Sequence, residues 1–129
     1  MYEFFTLLSI GCGGFLGAVF RACINGLVSK IFQNPTLPLG TLSVNLIGGF
    51  FIGFILSIAS TYSINQNLKS FLITGLLGGL TTFSTFTYEN MLLINSNSYF
   101  MAFANIGLNV ALCLVFCYIG LFAAKLLIV

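Results

Sequence analysis

Five hydroxyl side chains fall within seven residues of the stretch "GGLTTFSTFTYEN", Gly78 to Asn90: Thr81, Thr82, Ser84, Thr85 and Thr87. They follow the glycine pair Gly78-Gly79 and precede Glu89, one of two acids in the chain. Glycine lowers helix propensity by about 1 kcal/mol relative to alanine. Hydroxyl side chains offer the backbone an alternative to the helical ladder. Together they predict non-helical backbone around Gly78 to Thr82. Carbonyl oxygens freed there can hold a cation, and a helix restarting beyond them begins partly positive. Phe83 and Phe86 then share one face of that second helix. A phenyl ring has a negative face and a positive hydrogen edge. Its edge can meet a small anion without gripping it as a lysine would. In a chain with fifteen Phe, the pair by itself also reads as packing.

Other polar groups sit in apolar surroundings. Asn45, in "GTLSVNLIGG", follows Thr41 by one turn. Asn105, Asn109, Cys113 and Cys117 recur every four residues, which makes one slowly drifting stripe on a helix. Any single asparagine reads equally as an interhelical hydrogen bond of under about 2 kcal/mol. The stripe, Asn45 and the hydroxyl run together point to a polar pathway. Arg21 lies deep for a residue that snorkels to an interface. A guanidinium there needs carbonyls, water or a carboxylate such as Glu89, and would draw anions into a vestibule.

Catalytic chemistry has no footing. The chain has no His and no Asp, and its serines have no base beside them. Cys12, Cys23, Cys113 and Cys117 form no C-x-x-C pair and read as packing residues rather than metal ligands.

The elements that must carry these groups follow from composition. Of 129 residues, 5% are charged and 59% hydrophobic. A soluble domain carries roughly a quarter charged residues, so lipid is the expected solvent. Four stretches reach the roughly 20 apolar residues that a spanning helix needs: Phe4 to Val28, Leu39 to Ser60, Leu68 to Ile94 and Tyr99 to Ile128. The first lacks a basic leader and runs too long for a secretory signal. Loops are expected at Gln33 to Pro38, Thr61 to Asn67 and Asn95 to Ser98. The expected fold is an all-α membrane protein: one domain, residues 1–129, of four transmembrane helices, the third broken near the bilayer midplane around 78–82. The few scattered cations leave no basic patch for nucleic acid.

Lysines do not decide orientation. Lys69 and Lys125 fall on one side, Lys30 on the other, with Arg21 inside the helix. So little bias suits either weak insertion cues or insertion both ways. The spacings Gly13/Gly17 and Gly49/Gly53 let helices approach closely, within one subunit or between subunits. Four helices around a filled core leave little room for water, so a homo-oligomer is expected.

The segments "GCGGFLGAVFR", "GTLSVNLIGGF" and "GLLGGLTTFSTFTYE" resemble the three signature regions of the Fluc (CrcB) family of fluoride channels. The resemblance covers nearly the whole chain, and the "GGxTTFSTF" run is its most specific part. It implies an antiparallel, dual-topology homodimer with two pores in the plasma (inner) membrane of a prokaryote. It also implies passive export of fluoride that entered as HF and became trapped by dissociation. Phe83 and Phe86 match the pore phenylalanines, Asn45 the second-helix pore asparagine, and Ser84 and Thr85 hydroxyls beside the pathway. Gly78 and Thr81 match positions whose backbone carbonyls help hold a structural Na⁺ at the dimer axis. Arg21 and Glu89 match a first-helix arginine and an acid beyond the phenylalanines. In the fourth helix the chain departs from many members: Cys113 stands near a position that is often serine, with Asn109 one turn earlier. Ala22 stands where an aromatic is common. Two rivals fit less well. A small multidrug transporter needs a glutamate deep in the first span, whereas Glu3 is at its edge. An assembly subunit would explain the glycines but not the hydroxyl run.

Overall fold

The computed structural model describes residues 3–33 and 35–128. Helix α1 is Phe4–Ile31 and α2 is Leu39–Thr61. The third apolar unit, Gln66–Asn95, is composite. It contains α3 (Gln66–Lys69), a π-wound segment Ser70–Leu77, α4 (Gly78–Leu80) and α5 (Phe83–Asn95). Helix α6, Tyr99–Ile128, completes the chain. All four units are long and apolar enough to cross a membrane, and their ends fall within three residues of those expected from the sequence. Of the expected first loop, residues 35–38 are non-helical, while Asn34 lies outside the described residues.

Local chemistry explains the composite unit. Asn65 caps α3, its side chain accepting from the Asn67 N–H at 2.8 Å. In the π-wound segment the bonds reach back five residues, as from the Gly78 N–H to the Ile73 carbonyl. Helical winding ends at Leu80. Thr81 (φ −77°, ψ 158°) and Thr82 (φ −151°, ψ 121°) are extended.

Gly78 and Gly79 themselves remain helical, contrary to the expectation that non-helical backbone begins there. The reason is a close approach. A Cβ on Gly79 would stand 2.5 Å from the Gly14 carbonyl oxygen, and one on Gly75 would stand 2.6 Å from that of Ile10. These glycines let the third unit lie directly on α1. The extended residues come two positions later, where Asn45 supplies a partner for the Thr82 N–H.

Glycines organise the second helix pair too. The most extensive contact in the chain joins α2 to α6. A side chain on Gly53 would strike the Cys117 carbonyl, and one on Gly120 the Phe50 carbonyl. The spacings Gly13/Gly17 and Gly49/Gly53 therefore serve contacts within one chain, whereas Gly11 and Gly107 have open space in front of them. The apolar core is small: Val44, Leu77 and Leu80, with Ile24, Ile47, Ile52 and Ile55 against them. Large apolar side chains such as Phe15, Phe100, Phe103 and Leu127 point outward instead. That arrangement suits a lipid solvent, in which helices associate by close packing and interhelical hydrogen bonds rather than by burying apolar surface.

A first expected result follows. Gly17→Leu would drive a side chain into the Leu76 carbonyl and the Leu80 N–H. Overpacking against rigid backbone costs at least about 1–3 kcal/mol, so the variant should lose most folded protein in thermal unfolding in detergent. Gly107→Ala, at an open position, should unfold at or above the wild-type temperature. Equal behaviour of the two variants would refute the packing argument.

Candidate functional site

The two extended residues are held by one side chain. Asn45 Oδ1 accepts from the Thr82 N–H at 2.9 Å, and Asn45 Nδ2 donates to the Thr82 carbonyl at 3.3 Å. The second N–H of Asn45 donates to Asn109 Oδ1 at 3.0 Å. Asn109 Nδ2 in turn donates to the carbonyl and Oδ1 of Asn105, both at 3.0 Å. Asn45 acts as a surrogate backbone for Thr82, and α6 braces it.

The hydroxyl run starts the next helix. Thr82 is the N-cap of α5, its Oγ1 accepting from the Thr85 N–H at 3.3 Å. The same hydroxyl donates to Thr85 Oγ1 at 3.0 Å and lies 3.4 Å from Ser84 Oγ. Such a cap is worth roughly 1 kcal/mol. Thr81 Oγ1 turns back to the Leu77 carbonyl at 2.9 Å. Because the Thr82 N–H is turned to Asn45, it does not close a helical turn on the Gly78 carbonyl.

A cavity of about 430 Å³ opens against this break. Asn45, Gly78, Thr81, Thr82, Phe83, Phe86, Asn109 and Cys113 all line it. Seven of the residues expected to form the ion path or the cation site thus meet at one place, with Thr82 of the hydroxyl run beside them. The rings of Phe83 and Phe86 lie 5.3 Å apart, tilted by 43°. Phe86 is 8% exposed and Phe83 77%, so the pair runs from the interior to the open side of the chain.

The cavity wall is mostly apolar, with Ile52, Ile73, Leu77 and Val110 beside the phenylalanines, and its few polar groups offer little free donor capacity. Both N–H groups of Asn45 are engaged, and Asn109 Nδ2 is directed at Asn105. The hydroxyls of Thr81 and Thr82 already donate within the chain. The positive groups that remain are the ring edges of Phe83 and Phe86 and the weakly donating Cys113 thiol. Such a lining can contact a small anion but cannot hold it strongly.

Ser84, Thr85, Arg21 and Glu89 stand outside that lining. Arg21 Nη1 donates to the Thr81 carbonyl at 3.3 Å, so it reaches the break from the α1 side. Glu89 is not its recorded partner. Glu89 Oε1 accepts instead from Thr41 Oγ1 at 2.7 Å. Glu89 and Thr41 line a second cavity of about 400 Å³ with Asn25, beside the start of α2. No group of three or more His, Cys, Asp or Glu side chains suits a metal ion among the described residues.

Sequence reasoning missed Thr41 as Glu89's partner, and it missed Asn90, buried on α5. Thr41 had a signal, since it shares a helix face with Asn45 one turn on. Asn90 had one as well: it follows Phe86 by four residues, so both face the same side of α5.

Fold and cleft define a small multi-pass membrane protein whose buried polar groups converge on an interruption in its third unit. A family model described as "CrcB-like protein, Camphor Resistance (CrcB)" matches residues 8–121. The chain belongs to this family. It is 61% identical over 125 residues to a "Fluoride-specific ion channel FluC" of Campylobacter fetus subsp. fetus, with 97% of this chain and 98% of the relative covered. It is 48% identical over 124 residues to a protein of the same name from Campylobacter hominis, covering 96% and 98%. A Clostridium novyi protein, again so named, is 47% identical over 121 residues, covering 93% and 94%.

Proposed function

We propose that this chain is a fluoride-selective ion channel that passively exports cytoplasmic fluoride and so limits its toxicity. It works as an antiparallel, dual-topology homodimer in the plasma membrane, the inner membrane where there are two, of a prokaryote. The observation that carries the reading is the lining of the cavity at the break: phenyl edges and a thiol, with the conventional donors spent on the chain itself. An anion passing there is stabilised enough to leave water and held too weakly to stay. The names of the relatives give the anion.

Thr81 and Thr82 interrupt the third span near the bilayer midplane, a place where non-helical backbone survives only beside protein or water. Phe83, exposed in the single chain, supports a pore completed by a second copy. Ser84, Thr85 and Arg21 support the path at the break, and Glu89 lines the neighbouring cavity.

A structural Na⁺ at the dimer axis fits the residues present. The Gly78 carbonyl has lost the Thr82 N–H as its helical donor, and the Thr81 carbonyl keeps a second lone pair beside its bond from Arg21. These two carbonyls would hold the ion, which when bound supplies positive charge to gathered carbonyl dipoles.

Liposomes loaded with fluoride, under a K⁺ gradient with valinomycin, test the proposal. The reconstituted protein should release fluoride quickly and retain chloride. No fluoride release, or equal chloride release, would refute it.

A further inference from the structure

Two buried amides have unmet needs that complement each other. Asn105 is 1% exposed and Asn90 6%. Asn90 Nδ2 donates to the Phe86 carbonyl at 2.7 Å, while its buried Oδ1 has no partner among the described residues. Asn105 is the reverse. Its Oδ1 and backbone carbonyl accept from Asn109 Nδ2, while its buried Nδ2 has no acceptor among the described residues.

Neither amide can be turned over to relieve this. Turning Asn90 would set its oxygen against the Phe86 carbonyl. Turning Asn105 would set its N–H₂ against that of Asn109. The polarity of the row is anchored at both ends by backbone groups, the Asn105 carbonyl and the Thr82 N–H. One orphan therefore requires a donor and the other an acceptor.

The two orphans lie at matching depth. Helices α5 and α6 are joined by the short turn at 96–98. Asn90 precedes the end of α5 by five residues, and Asn105 follows the start of α6 by six. At 1.5 Å per residue, these are displacements of about 7.5 and about 9 Å from the turn.

We propose that Asn90 and Asn105 enclose one ordered water between α5 and α6, accepting from Asn105 Nδ2 and donating to Asn90 Oδ1. Leaving a buried polar atom unpaired costs about 1–3 kcal/mol, and buried waters ordinarily settle such groups. The water closes a chain of amides: Asn90, water, Asn105, Asn109, Asn45 and the Thr82 peptide. Asn90 and Asn105 are thereby positioning residues. They fix which way Asn109 points, and through it how Asn45 grips the break. The site suits a neutral molecule that both donates and accepts. Fluoride only accepts, and Asn90 Oδ1 would repel it, so this site is separate from the anion path in the cleft.

High-resolution density for the whole protein in lipid nanodiscs tests the site directly. A single peak within hydrogen-bond reach of Asn90 Oδ1 and Asn105 Nδ2 is expected, unchanged when bromide replaces chloride. An absent peak, a direct contact between the two amides, or bromide at the site would overturn the proposal. The chain of amides has its own test, which rests on the channel reading. Asn90→Leu and Asn105→Leu should each lower fluoride efflux per folded protein by about tenfold, and the double variant should fall no further. Asn105→Ser, which keeps a donor, should recover part of the flux that Asn105→Leu loses. Losses that multiply in the double variant would overturn the coupling. Failure of the wild-type protein to pass fluoride would refute the channel reading alone, and the density would still decide the water.

Discussion

Phe86→Ile is expected to cut fluoride efflux by up to about tenfold in liposomes, and Phe83→Ile to do the same, with both variants still folded. The argument runs from hydrogen-bond accounting to conduction. Around the cavity, Asn45, Thr81, Thr82 and Asn109 all donate to other groups of the chain. An anion can therefore rely only on the Cys113 thiol and on aromatic hydrogens. Isoleucine keeps the apolar character and much of the volume but has no ring quadrupole. Aromatic edge contacts are worth about 0.5–1.5 kcal/mol each, and losing one at a barrier lowers the rate up to about tenfold. The exposed Phe83 should tolerate the change with little effect on stability. Buried Phe86 should lose about 1 kcal/mol or more through imperfect repacking. Unfolding curves measured beside the flux separate the two effects. Wild-type flux in both variants would return the pair to packing and remove the main support for an aromatic path.

What could be read in advance depended on where the cause lay. Span ends were legible because apolar length is a local property, and α2 opens directly after Pro38 and α6 directly after the polar turn ending at Ser98. The meeting of Asn45 with Asn109 was legible only as two suspicious letters, because their bond joins residues 64 positions apart. Gly78-Gly79 was legible as special, but glycine has two uses. It frees the backbone, and it also lets another backbone come close. Gly79 serves the second purpose against Gly14, so the chain stays helical there. Arg21 was legible as needing carbonyls, water or a carboxylate such as Glu89, but nothing local chose among them. Its recorded partner is the Thr81 carbonyl, which every residue type presents alike. The spent state of the cavity's donors was not legible at all. It is a property of the whole network, in which each amide's orientation depends on the next.

Removing Asn45 is expected to have the second large effect, and the choice of substitute tells structure from conduction. In Asn45→Leu the Thr82 N–H and carbonyl both lose their partner on a residue that is itself buried. Two orphaned groups at about 1–3 kcal/mol each predict a loss of roughly 2–6 kcal/mol. The chain should resume helical winding through Thr82 or fail to fold, and flux should vanish either way. Asn45→Asp is the informative partner variant. Its carboxylate still accepts from the Thr82 N–H, so the break can persist, but it turns an acceptor toward the Thr82 carbonyl and toward Asn109 Oδ1. It also places negative charge on the cavity wall. Folded protein with almost no fluoride efflux is therefore expected for Asn45→Asp, against scarce folded protein for Asn45→Leu. The comparison needs thermal unfolding in detergent and efflux normalised to folded protein. If Asn45→Leu unfolds like wild type and conducts fluoride, Asn45 is neither bracket nor wall, and the cleft would have to be rebuilt around α6. If Asn45→Asp conducts freely, the anion takes a route that avoids this wall, and Arg21 and Glu89 become the residues to follow.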